Sequence, residues 1–371
     1  MNAVYPLSGT VKNYDWGGKE FIPHLLGSVN LEGRPFAEYW MGVHPSGSSI
    51  IMENGHWVPL AERAASLPFL LKLLDVKNML SIQVHPDSKG AREGFDRENQ
   101  LGIPLDAPYR NYRDPNHKPE MMVALSDFWL LHGFRPTEEM VDVLTNVSFL
   151  NQFLRLFTEK GYEGLYHHIM RLTVPEIENI LLPLKNELLA AAPANKEEPD
   201  FWAARAFAMN EGAHADAGLF SIYLFNLVHL KKGEGIFQGA GLPHAYLEGQ
   251  NVEIMANSDN VLRGGLTSKN VDVTELLRHV KCEATYPHIL ACEPGQAYFS
   301  PVPDFTLRSI HFNKADTMNW FAEKDEILLL TEGKISLEGL ILGIGSPAAF
   351  IKKGHHLQME AMENAVIFIA S

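Results

Sequence analysis

The stretch SIQVHPD, residues 81–87, sets a glutamine and a histidine two positions apart in a segment with the texture of a buried strand. In extended backbone Ser81, Gln83 and His85 share one face, while Ile82 and Val84 take the other. Buried polar groups cost free energy unless they are paired, so the rest of the chain has to supply partners. Three stretches offer candidates: HKPEMMVAL, with Lys118 and Glu120; GLPHAYLEG, with His244 and Tyr246; and NVEIMANSDNVLRGGLTSK, with Glu253, Asp259, Arg263 and Lys269. Gln83, His85, Glu120 and His244 together make a nitrogen and oxygen donor set for one divalent metal. Two imidazoles and a carboxylate suit zinc, and ligand type alone also admits manganese, iron, cobalt or nickel. One carboxylate against a dication leaves a net charge of about +1, which suits an alkoxide or enediolate oxygen. Taken singly, each histidine has a plainer reading as hydrogen-bonded structure. His44, His132, His167, His168, His279, His355 and His356 are read that way, or as surface residues.

The elements that would position these residues change texture along the chain. Residues 1–133 are short apolar runs broken by Gly and Pro, an all-β pattern with one or two helices. From Pro136 apolar residues recur at three- and four-residue spacing, and residues 137–212 read as a helical insertion with Thr137-Glu138-Glu139 as its start. Strand texture returns at GLFSIYLFNLVHL, with a helix near VDVTELLRHV. The last segment, a series of short strands with Gly-containing turns, fits a small β-sandwich or jelly roll. The expected organisation is a discontinuous β domain over 1–136 and 213–285, the helical insertion over 137–212, and a C-terminal sandwich over 286–371.

With 371 residues, 46% hydrophobic and 20% charged, the chain has the composition of a globular protein with a sizeable core. A net charge of −14 argues against nucleic acid or an anionic membrane as partner, while leaving room for a small anionic substrate bound by local Lys and Arg. Cys282 and Cys292 have no CxxC spacing, which excludes a cysteine-built zinc site and suggests a reducing compartment. The N-terminus lacks a signal pattern and no apolar run is long enough to span a bilayer, so a cytoplasmic protein is expected.

YDWGG, EYWMGVHPSGSS, SIQVHPD, HKPEM, GLPHAYLEG and VEIMANSDNVLRGGLTSKNVDV occur in an order that resembles the type I mannose-6-phosphate isomerases, or phosphomannose isomerases, of the cupin superfamily. The resemblance spans most of the chain and is strongest over 12–50, 68–133 and 216–276. It implies cupin-type jelly-roll domains with an α-helical insertion, and one zinc ion per chain held by Gln83, His85, Glu120 and His244. It also implies interconversion of mannose 6-phosphate and fructose 6-phosphate. Arg263 matches the family's essential arginine and Lys118 the lysine before the glutamate ligand; with Glu253 and Asp259 they form the expected catalytic set. Ser81, Lys72 and Lys269 match positions at the phosphate end, and Tyr246 and Trp16 complete the expected substrate contacts. Lys72, in FLLKLLDV, has the alternative of a helix-face lysine reaching solvent. Both Glu253 and Lys118 remain open as the proton carrier, and Asp259 and His85 as groups for ring opening. The chain departs from the family at Thr267-Ser268-Lys269, where Thr-Pro-Lys is common, and at Gly264, often Ala. A monomer or weak homodimer is expected.

Other chemistries fit less well. A non-haem iron oxygenase wants a His-x-His or His-x-carboxylate start, and cupin glucose-6-phosphate isomerases place their glutamate a few residues after the first histidines. A phosphosugar-binding protein without turnover is the alternative from another class.

Overall fold

The structure is a computed structural model that describes residues 3–209, 216–291 and 295–371. Cys292 and the end of the expected helical insertion, 210–212, lie outside the described residues. Strands dominate both ends of the chain, and helices occupy Thr137–Asn146, Leu154–Ile169, Val174–Ala191, Pro199–Met209 and Gly218–Leu224.

The site is organised by the thirteen-residue strand His244–Ala256. Its first half pairs with Gln83–Val84 and Phe128–Phe134, and its second half with Phe69–Val76 and Glu120–Ala124. A bulge between Tyr246 and Glu248 lets one strand serve both sets of partners, because the extra residue bends it and increases its twist. The result is an eleven-stranded antiparallel sheet that curls into a barrel-like cup, consistent with a cupin.

FLLKLLDV is the strand Phe69–Val76, not a helix. Its odd positions Phe69, Leu71 and Leu73 pack outward with Val252 and Ile254 against the C-terminal sandwich. Lys72 points the other way and is buried, so the solvent-facing reading of this lysine is corrected. Both faces of the strand are covered, which explains its near-continuous apolar run.

The C-terminal half is a seven-stranded sheet facing a four-stranded one. The first strand, Val4–Ser8, and the hairpin Ile50–Glu53/His56–Pro59 lie in that seven-stranded sheet, with Leu7 opposite Ala348 on one side and Ile51 on the other. Within Glu326–Glu332, Ile327 and Leu329 enter the core shared with the cup, and Leu328 and Leu330 enter the sandwich interior. The helices form the remaining core around Trp202, Tyr166, Phe220 and Phe225, packed on Leu131 and Phe134. Among the described residues no helix is long and apolar enough to cross a membrane.

Candidate metal centre and cleft

Gln83, His244 and Arg263 lie in one row across three antiparallel strands: Gln83 is directly opposite His244 on one side and Arg263 on the other. Directly opposed residues project to the same face with Cβ atoms about 5 Å apart. Glu120 opens the strand Glu120–Ala124, across from Met255 near the far end of the long strand. His85 follows immediately after Gln83–Val84. Ligand atoms of His85, Glu120 and His244 lie within 4.8 Å of one another, and all three residues are buried.

Each imidazole has one ring nitrogen fixed by backbone. His85 Nδ1–H donates to the Asn260 carbonyl at 2.8 Å, and His244 Nδ1–H donates to the Leu242 carbonyl at 3.0 Å. That sets the tautomer with both Nε2 lone pairs aimed at Glu120, 3.4 Å from Oε1 for His85 and 3.3 Å from Oε2 for His244. His85 Nε2 is buried without a hydrogen-bond partner among the described residues. Burial pushes the His85 imidazolium down to about 4, so the ring is neutral at pH 7. Burial alone would raise the Glu120 carboxyl, but the Lys118 ammonium at 3.0 Å holds it well below the usual range. Two imidazoles and one ionised carboxylate, converging where His85 Nε2 has no other partner among the described residues, fit a divalent cation. The Gln83 amide beside them offers a neutral oxygen.

Above this trio opens a cleft of about 860 Å³. Its wall includes Trp16, Lys72, Ser81, Gln83, Lys118, Asp259, Arg263 and Lys269, eight of the thirteen residues singled out from sequence. Glu253 and Tyr246 lie one layer deeper. The Glu253 carboxylate accepts from Lys72 Nζ at 3.0 Å and from the Tyr246 hydroxyl at 2.7 Å, so both oxygens are engaged. Burial would lower the Lys72 ammonium, but the carboxylates of Glu253, Glu38 and Glu120 outweigh it and raise its pKa above the ordinary lysine value. Lys72 is therefore charged and locally neutralised. Asp259, on the rim, accepts from Ser46 Oγ at 3.1 Å and stands 3.6 Å from His44 Nε2.

Sequence reasoning passed over several neighbours. Glu38 and Trp40 line the cleft from the strand Glu38–Gly42, where Trp40 stands opposite Lys72; their i, i+2 spacing in EYW was the available signal. Arg113 also lines the cleft, and nothing in NYRDPNH marks it locally. Asn260 is fully buried and binds loop 113–116 through its amide while its carbonyl orients His85. Arg113, Arg263 and Lys269 form a cation cluster with no ion pair among the described residues. Burial and then Arg113 lower the pKa of Arg263; burial, Arg263 and Arg113 lower that of Lys269. A further cavity of about 550 Å³ shares these three cations.

Residues 4–137 match the family described as phosphomannose isomerase type I, catalytic domain. The mannose-6-phosphate isomerase of Salmonella typhimurium is 37% identical over 357 residues, covering 89% of each chain. The Homo sapiens mannose-6-phosphate isomerase is 31% identical over 90% of this chain and 88% of its own. A crystal structure of the Salmonella typhimurium enzyme bound to its substrate F6P and zinc superposes with a TM-score of 0.87 at 33% identity, covering 100% of this chain and 99% of that one. With relatives above 30% identity across most of its length and the catalytic-domain match over the strands that carry Gln83, His85 and Glu120, this chain belongs to the type I phosphomannose isomerase family.

Proposed function

We propose that the protein is a zinc-dependent aldose–ketose isomerase that interconverts mannose 6-phosphate and fructose 6-phosphate through a cis-enediolate. The observation that carries this reading is the buried His85–Glu120–His244 trio, with Gln83 alongside, beneath a cleft whose wall gathers three cations without an ion pair among the described residues. Gln83, His85, Glu120 and His244 would hold the metal, which when bound supplies a Lewis acid able to stabilise negative charge on the sugar's O1 and O2.

The chain's own groups take the remaining work. Arg263, opposite Gln83 in register and without a carboxylate partner among the described residues, faces the developing oxyanion with its full charge. Arg113, Lys269 and Ser81 receive the phosphate, and Arg263 borders both ends. Lys72 has its charge committed to Glu253 and Glu38, and is better suited to a sugar hydroxyl than to the phosphate. Lys118 reaches the cleft wall 3.0 Å from Glu120 Oε1, while Glu253 is shielded behind Lys72 and Tyr246. Acting as a free amine, with its ammonium proton given up, Lys118 is the group we assign to take the proton from C2 and return it to C1. Asp259, exposed at the rim beside His44, is placed for the proton transfers of ring opening. The metal trio, the cleft and the cation cluster all come from one chain, so a monomer is competent. A phosphorylated sugar substrate and the thiol of Cys282 agree with a cytoplasmic location.

The test is conversion of mannose 6-phosphate to fructose 6-phosphate by purified protein, before and after chelation and zinc readdition. Activity that disappears with chelator and returns with zinc is the expected result. Folded, zinc-loaded protein that binds mannose 6-phosphate without turning it over would replace the isomerase by a binding protein.

A further inference from the structure

The loop 264–269 carries Thr267, Ser268 and Lys269 to the cleft and begins one residue after Arg263. Its backbone is unusual. Gly265 has φ +113° and Leu266 has φ +53°, a left-handed conformation that a bulky residue adopts only when its surroundings impose it. One end is tied to the metal-ligand strand: Gly264 N–H donates to the Ile82 carbonyl at 2.8 Å, and Ile82 N–H donates to the Gly265 carbonyl at 3.0 Å.

The other end is held by a single side chain from a remote part of the sequence. Asp216 Oδ1 accepts from Leu266 N–H at 3.0 Å and from Gly218 N–H at 2.7 Å, and Oδ2 accepts from Thr267 N–H at 3.1 Å. Gly218 opens the helix Gly218–Leu224 and touches the loop directly. A Cβ there would stand 2.4 Å from Leu266 N, and a Cβ on Gly265 would stand 2.5 Å from the Gly218 Cα. Three N–H donors converging on one carboxylate, with two glycines face to face, fix the loop at the residue where its backbone is strained.

We propose that Asp216 is a positioning residue for the phosphate end of the cleft: its carboxylate holds the strained 265–267 backbone in the one conformation that presents Lys269 and Thr267 beside Arg263. The proposal rests on the reading of the Arg113, Arg263 and Lys269 cluster as the phosphate site. Asp216 touches no substrate in this account. It acts through the backbone it clamps, so its loss affects binding of the anionic end more than turnover.

The experiment compares the zinc-loaded parent with Asp216→Asn, Lys269→Ala and the double variant. The measurements are KM and kcat for mannose 6-phosphate and the inhibition constant of inorganic phosphate. Asp216→Asn keeps the size of the side chain but sets an amide NH₂ against one of the N–H donors it now receives. It is expected to raise KM and the phosphate inhibition constant by about tenfold while kcat stays within about twofold. Because both residues act on the same end, the double variant should show a KM no more than about twofold above Lys269→Ala alone. Hydrogen exchange should accelerate over 264–269 in Asp216→Asn. Gly218→Ala, whose Cβ would crowd Leu266 N beside the Asp216 carboxylate, should reproduce the KM signature if the Asn variant does not fold. Lys269→Ala that raises both constants while Asp216→Asn leaves them unchanged overturns the clamp. Effects that multiply in the double variant overturn it as well. Lys269→Ala that leaves both constants unchanged overturns instead the phosphate reading beneath it.

Discussion

Asn260 shows how much of a metal centre is set by residues that never meet the metal. Its Oδ1 accepts from Arg113 N–H at 2.8 Å, and its Nδ2 donates to the carbonyls of Asp114 at 2.7 Å and Asn116 at 2.9 Å. Its own carbonyl holds His85 Nδ1–H. One buried side chain therefore shapes the turn leading into Lys118 and Glu120, and its backbone orients the His85 ring. Outer partners of ligating imidazoles typically govern metal affinity by ten- to a hundredfold. Asn260→Asp puts a carboxylate against two carbonyl oxygens at a fully buried position. The variant is expected to bind zinc about tenfold or more weakly, read by competition with a chromogenic chelator. Parent-like affinity would mean that His85 is oriented without the Asn260 turn. Asn260 was not readable from the sequence, because its role depends on three carbonyl and amide groups about 145 residues away in the chain. Gln83 and His85 were readable, because strand alternation is local and leaves two polar side chains on a face that needs a reason to be polar.

The turn that Asn260 shapes is braced by a pair of elements that contribute nothing to the cleft wall. Helix Ser88–Gln100 meets helix Val273–His279 through Glu275, which accepts from the Tyr112 hydroxyl at 2.6 Å and pairs with Arg97. His279, one turn later, reaches the same hydroxyl at 2.7 Å, and Asp272 caps the second helix by accepting from Glu275 N–H at 3.0 Å. Burial alone would raise the Glu275 carboxyl, but hydrogen bonds from His279, Tyr112 and Arg97 bring it down to about 2. A folded value below the unfolded value means that the stabilisation is fully present above the ordinary carboxylate pKa of about 4.5 and is lost as pH falls toward 2. Glu275→Gln should lower the stability at pH 7 by about 1 kcal/mol, a figure already reduced because its partner Arg97 is part-exposed to the screening of water. The gap between variant and parent should narrow as pH falls below about 4.5 and close only near pH 2, measured by urea unfolding at pH 7 and at pH 2. A constant gap would assign the loss to packing and not to the charge. The helix near VDVTELLRHV was readable from its Asp272 cap and its periodicity. FLLKLLDV was open to a helical reading, because a strand covered on both faces loses the alternation that distinguishes it.

At the scale of the whole chain, the cup and the C-terminal sandwich share a core. Tyr5, Leu7 and Ile51 from the first sixty residues pack with Ile327, Leu329, Phe350 and Phe368 from the last fifty and with Leu71, Val252 and Ile254 of the cup. Local texture could identify the C-terminal strands, but it could not reveal that Val4–Ser8 completes their sheet, since pairing partners are selected by complementary faces that meet only in three dimensions. A core built from both ends of the sequence couples the two halves, so a change in the sandwich is expected to move the melting of the catalytic cup. Glu326 provides the handle. It opens the strand Glu326–Glu332 and accepts from Trp320 Nε1–H at 2.7 Å, far from the cleft. Burial pushes its carboxyl up to about 7, with the Trp320 hydrogen bond and Arg308 opposing only in part. Between the unfolded value near 4.5 and this folded value the native state holds the extra proton, so stability falls as pH rises from about 5 to 7 and stays low above it. Glu326→Gln removes the buried charge while keeping an acceptor for Trp320. At pH 8 it should raise the unfolding free energy by about 1 kcal/mol, and the Tm by about 2 °C, after allowance for partial solvent screening. At pH 5 it should do nothing, because the parent side chain is then already neutral. With one shared core, the temperature at which isomerase activity is lost should rise at pH 8 by the same amount as the calorimetric Tm. An activity midpoint that stays put while the calorimetric trace splits into two transitions would show that the halves melt separately.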